Sequence, residues 1–132
     1  MNMSLAEKLK KQAANQLYNN RIQNFTQKEL ILKSYSKSAQ FLEMAIECLN
    51  NGDTINFRNN TNNAIILIQT MLSNLVYIDS TGNVLEVALN LNSSYNYILD
   101  TLRKGLRNNS TKDFDSCIKF INELYFAFNS IK

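Results

Sequence analysis

Apolar residues recur three and four apart along most of the chain, the period of one face of a helix rather than the alternation of a strand. Between residues 27 and 51, Ile31, Tyr35, Ser38/Ala39, Leu42, Ala45/Ile46 and Leu49 keep that spacing and predict one long amphipathic helix. Ahead of it, Thr26-Gln27-Lys28-Glu29 has the form of a capping box, in which the first hydroxyl accepts from the Glu N–H and the carboxylate reaches back. Gly52 suits the left-handed residue just past a helix end, and Asp53 or Thr54 can cap the next helix. That second helix has a wide apolar sector from Ala64 to Ile78, closed by the break at Asp79-Ser80-Thr81-Gly82-Asn83. A third, from about residue 83, carries Val87, Leu91, Tyr95, Ile98, Leu102 and Leu106. After a polar turn at residues 107–111, a fourth begins near Thr111 and buries Phe114, Cys117, Ile121, Leu124 and Phe128. No stretch alternates with period two between hairpin turns, so no strand is expected.

Four such helices with short connections predict an all-α fold, an antiparallel up-down-up-down four-helix bundle over residues 26–132. In front of it, Ser4-Leu5-Ala6-Glu7 is another capping-box match, and Leu5, Leu9, Ala13 and Leu17 make a narrow stripe on a lysine-rich segment. Residues 1–25 therefore read as a short, semi-detached helical arm. Its hinge is residues 19–25, with Phe25 placed to staple against the bundle's first turn.

Composition narrows the class. The 132 residues suit one domain, with 45% hydrophobic and 19% charged positions and neither Pro, His nor Trp. The net charge of +3 divides into a basic arm, an acidic middle and a basic tail, without the dense cationic face that nucleic acid requires. Asn is abundant and clusters at Asn59-Asn60 and Asn62-Asn63, but apolar spacing is given precedence over its preference for turns. Glu7, Lys8, Lys10 and Lys11 interrupt any signal-peptide centre, and no window approaches the ~20 apolar residues of a membrane span. Cys48 and Cys117 each fall in apolar stretches, as small core residues in a reducing compartment would. The expectation is a cytoplasmic protein that engages neither nucleic acid nor the membrane interior.

Catalytic chemistry finds little to work with. Without His there is no imidazole base or metal ligand, and both a phosphotransfer relay and the Glu-x-x-His di-metal site of helical bundles are out of reach. Glu43 and Glu47 lie outside the apolar stripe, while Asp113 and Asp115 sit where a helix start favours negative charge. Gly52, Gly82 and Gly105 are too scattered for a phosphate loop. No active site, metal or cofactor is expected. What remains is surface. Tyr95 and Tyr97 are about 200° apart round a helix, so one must leave the core. Phe126 and Phe128 repeat the conflict, and Phe57 stands in an otherwise polar turn. Together they suggest a peptide-binding groove.

The segment Thr26 to Tyr35 with Phe41 and Ala45 in register resembles the opening of the flagellin export chaperones, the FliS-type family. Ala64, Leu67-Ile68, Ser73 and Leu75 continue the likeness, as do Leu91, Tyr95-Asn96-Tyr97-Ile98 and Leu102, and finally Leu124 with Ala127-Phe128. It spans residues 20–132 and rests on joint spacing rather than any single motif. Departures include Gln27 for the family's helix-opening Pro, Ser34 and Lys37-Ser38 around Tyr35, and Asp100-Thr101 where an Arg pair is usual. The resemblance implies a non-catalytic bundle that holds the disordered C-terminal segment of flagellin, prevents premature polymerisation and hands it to the cytoplasmic domain of the export gate. The groove residues expected are Leu32, Tyr35, Leu42, Tyr95, Tyr97, Ile98 and Leu102, with Tyr18 and Ile22 implied at the export gate. The arm's stripe would cover the groove until the client arrives. The competing expectation is a regulatory or structural bundle that self-associates through the same surface, and weak homodimerisation is compatible with either.

Overall fold

In a computed structural model, residues 24–75, 80–82 and 85–130 are described, and four helices account for most of them: α1 (Asn24–Asn50), α2 (Thr54–Ser73), α3 (Glu86–Asn108) and α4 (Phe114–Asn129). No strand occurs among the described residues. The expected arm, with its stripe and with Tyr18 and Ile22, lies outside them up to residue 23.

Helix ends follow local chemistry more closely than apolar periodicity. Helix α1 is already formed at Asn24, so Thr26 and Glu29 lie inside it and do not mark its start, and Asn24 and Phe25 belong to the helix rather than to a hinge. At its far end Gly52 takes φ +77°, the left-handed conformation expected of it. Asp53 then caps α2, its carboxylate accepting from the Asn56 N–H at 3.1 Å and from the Asn56 carboxamide at 2.6 Å. Helix α2 stops at Ser73, short of the apolar sector that was expected to carry it towards Ile78. The Asn74 N–H bonds back to the carbonyls of Thr70 and Met71, and Leu75 folds against the core from beyond the helix. Helix α4 starts at Phe114 rather than near Thr111, because Asn109 (φ 47°) and Asp113 (φ 69°) both adopt the left-handed region that their short polar side chains tolerate. The Asn pairs at 59–60 and 62–63 lie within α2, where the apolar spacing had placed them.

Each helix packs against two others, α1 on α2, α2 on α3, α3 on α4 and α4 back on α1, leaving α1/α3 and α2/α4 as diagonals. The Arg58 guanidinium, early in α2, donates twice to the Leu106 carbonyl near the end of α3, at 3.1 and 3.0 Å. A cation there meets carbonyls left over at a helix C-terminus and the negative end of its dipole. Phe57 and Phe114 stack across the α2/α4 diagonal at that same end, with ring centroids 6.3 Å apart. At the other end, the start of α1 meets the end of α2, the start of α3 and the end of α4 around Tyr35 and Tyr95. This pairing of ends is what an up-down-up-down order requires.

The core is largely aliphatic, with Leu42, Ala45, Ala64, Ile68, Ile98, Leu102, Ile121 and Leu124 fully buried. Phe57, which its polar neighbours suggested as a surface residue, is also fully buried, because its stack on Phe114 fills the bundle's end. Three polar side chains share the interior without breaking its hydrogen bonding. Ser38 donates to the Ser34 carbonyl, Asn60 to Asn56 and Thr61 to Phe57, each one turn back along its own helix. Among the described residues no group of His, Cys, Asp and Glu could hold a metal ion, and no helix is long and apolar enough to cross a membrane.

Gly105 permits the closest approach at the Phe57 end. A Cβ there would stand 2.6 Å from both the Ser110 carbonyl oxygen and the Phe114 ring. Alanine gains about 1 kcal/mol in helix propensity over glycine, but an overpacked core costs about 1–3 kcal/mol, and here a backbone atom must move. Gly105→Ala is therefore expected to lower the melting temperature despite the better helix former, as thermal denaturation followed by circular dichroism would show. The Asp53 cap has a pH signature. Its hydrogen bonds from Asn56 hold the carboxyl below its usual 3.8, so its stabilisation is complete above that value and is lost as pH falls through the lowered one. The difference in melting temperature between the native chain and Asp53→Ala should be constant at neutral pH and shrink in strong acid.

Candidate functional site

The sequence reading names seven groove residues, and the structure distributes them over three environments. Tyr35 and Tyr95 meet at the α1/α3 diagonal, hydroxyl to hydroxyl at 2.5 Å, with both rings almost wholly buried. Leu32 is half-buried on α1, beside Tyr125 of α4. Leu42, Ile98 and Leu102 are core residues with no exposed surface. Tyr97, 59% exposed, stands on the outer face of α3 and resolves the conflict with Tyr95 as helix geometry requires. Phe126 (71%) and Phe128 (5%) resolve theirs in the same way.

Among the described residues, two concavities stand out at the Tyr35 end. The first is an open trough of about 540 Å3 between α1 and α4, lined by Glu29, Leu30, Leu32, Lys33, Ser36 and Tyr125. The second is a narrower cleft of about 90 Å3 that all four helices help to form. Its apolar walls are Leu30, Ile31, Met71, Leu75, Leu91 and Phe128, and the Tyr35 and Tyr95 rings lie among them. Leu30 belongs to both and is 62% exposed. Because Leu30 sits one position off the Ile31–Tyr35 stripe, it points away from the core while the helix start still keeps it beside α4. The stripe directed attention to the buried face and so passed over Leu30. Helix α4 adds Phe126, whose ring packs edge-on against Tyr125 at 5.8 Å. Leu30, Leu32, Tyr125 and Phe126 thus give this end an apolar surface larger than a single stray side chain would.

Among the described residues the cleft has no charged lining, and burial there acts on its titratable groups. Desolvation pushes the Tyr35 hydroxyl up to about 12, partly countered by its hydrogen bond with Tyr95. Tyr95 is raised further, first by burial and then by the proximity of Tyr35 and by the hydrogen bond to it. Away from the cleft, burial also raises the Cys117 thiol to about 11, leaving it a poor nucleophile. Cys48 is half-buried, with the Asn60 carboxamide 3.8 Å from its sulfur.

A tyrosine whose pKa is raised on folding favours the native state below 10 and loses that contribution as pH rises towards the folded value. An absorbance titration of the phenolates should therefore show a fraction that fails to ionise with the rest near pH 10. The melting temperature should fall steeply over the same interval. Tyr35→Phe/Tyr95→Phe should remove most of that late fraction.

Residues 10–132 match the family model described as flagellar protein FliS. No curated protein matches the chain.

Proposed function

The chain belongs to the FliS family of flagellar chaperones, and from that premise we propose that it binds the disordered C-terminal segment of flagellin in the cytoplasm. The observation that carries the reading is the exposed apolar surface at the Tyr35 end, where Leu30, 62% exposed, lines both trough and cleft and Phe126, 71% exposed, packs against Tyr125 of the trough. A segment with no core of its own can lay apolar side chains into such grooves, ordering as it binds. Seated there, it is withheld from polymerisation until delivery to the export gate. Leu32 lines the trough and Tyr35 and Tyr95 the cleft, so these are the groove residues nearest the client, and Tyr97 extends the contact over α3. Leu42, Ile98 and Leu102 act from beneath, by fixing the helices that form the groove walls. The segment ahead of α1 serves as the arm, with Leu5, Leu9, Ala13 and Leu17 covering the surface before the client arrives and Tyr18 and Ile22 meeting the export gate.

A peptide from the flagellin C-terminus should raise the melting temperature with concentration. At 100 times its Kd the gain is about 2.7 kcal/mol, on the order of ten degrees for a domain of this size. Leu30→Ser and Phe126→Ser remove exposed side chains, so each should leave stability within about 0.5 kcal/mol. Each should weaken the peptide by about tenfold if it anchors the client. A stable homodimer that ignores the peptide would overturn the reading in favour of self-association.

A further inference from the structure

A tyrosine hydroxyl donates one hydrogen bond and accepts up to two. In the Tyr35–Tyr95 pair one hydroxyl gives its proton to the other, and the receiving hydroxyl still holds a proton of its own. Among the described residues that second proton meets no acceptor, although the two residues are only 1% and 2% exposed. The hydroxyls of Ser34 and Thr70 and the carboxamide of Asn74 also line this cleft and could accept, but none is hydrogen-bonded to either tyrosine; Ser34 and Thr70 bond to carbonyls of their own helix, Leu30 and Ile66 respectively. A buried donor without an acceptor is costly. For a bundle that had only to fold, phenylalanine at both positions would serve better.

Both tyrosines line the narrow cleft, whose other walls are mostly apolar, with the uncharged Ser34, Thr70 and Asn74 among them, and among the described residues no Lys, Arg, Asp or Glu side chain lines it. A carboxylate entering it would leave water without a cation to pair with. A neutral oxygen carried on an apolar group suits both features at once. We propose that the cleft is a binding site for a neutral amide oxygen flanked by apolar carbon, such as an Asn or Gln side chain or a backbone carbonyl of a bound polypeptide, to which the Tyr35/Tyr95 pair donates its remaining proton. This deepens the flagellin reading by naming the chemistry one end of the peptide site takes, and rests on it only for the identity of the polypeptide.

Small probes test the chemistry without the client. With tyrosine ring carbons labelled in the full chain, isobutyramide should shift the Tyr35 and Tyr95 signals saturably at pH 7, while isobutyrate at equal concentration should not. In Tyr35→Phe/Tyr95→Phe, amide binding, followed through the methyl signals of Leu91 and Ile31, should weaken at least tenfold while the melting temperature holds or rises. Equal shifts from the two probes overturn the proposal. So does undiminished amide binding in the double variant, and so does the absence of any shift, which would mean that water alone meets the proton. The amide-against-acid contrast is read on the unmodified chain and does not depend on any variant folding. If isobutyramide binds as described but a flagellin C-terminal peptide neither binds nor displaces it, the flagellin reading fails and the site stands.

Discussion

The diagonals of a four-helix ring are too wide for backbones to touch, so only long side chains can meet in the middle. This bundle closes its two diagonals with aromatic pairs of opposite character. Phe57 and Phe114 stack face to face at one end, where Gly105 lets α3 and α4 approach and Arg58 fastens α2 to the last carbonyls of α3. Tyr35 and Tyr95 meet at the other end through their hydroxyls. At the phenylalanine end both rings are fully buried. The tyrosine end keeps a polar group in an apolar setting and has a cleft beside it.

That asymmetry separates the buried core from the apolar surface left exposed. Leu42, Ala45, Ile68, Ile98, Leu102, Ile121 and Leu124 are buried along the axis and supply the hydrophobic stabilisation. With the core thus complete, Leu30 and Phe126 can stay exposed without weakening the fold, since a side chain left in water contributes little to folding either way. The same residues are the apolar surface a partner can cover. In a family of flagellar chaperones, exposure of this kind is the feature a client without a core would require.

Much of this was legible in the sequence. The four helices, the Gly52 turn, the Asp53 cap and the split fates of Tyr95/Tyr97 and Phe126/Phe128 all follow from periodicity and a few turn residues. Helix ends were harder, because the apolar sector beyond Met71 continues past the point where Asn74 turns back on the helix, and a capping-box pattern at Thr26 cannot reveal that helix already precedes it. The site was the least legible part. A stripe identifies which face is buried but not which part of it faces a void. Leu42, Ile98 and Leu102 therefore looked the same as Tyr35 and Tyr95, although only the tyrosines line the cleft. Phe57 failed for a related reason: its partner Phe114 is remote in sequence, and nothing local announces the stack.

The turn at residues 51–53 is the shortest connection between any two helices here, and it joins α1 and α2, which pack along their length. Closing so small a loop forfeits little chain entropy, so the α1–α2 hairpin can form early, before α3 and α4 have found their places. Tyr35 then waits for Tyr95 to arrive on α3, and the cleft exists only after α4 has brought Phe128 to it. On that route the cleft is the last thing to be assembled. A partly folded chain lacks it, which ties the binding proposed for it to completed folding.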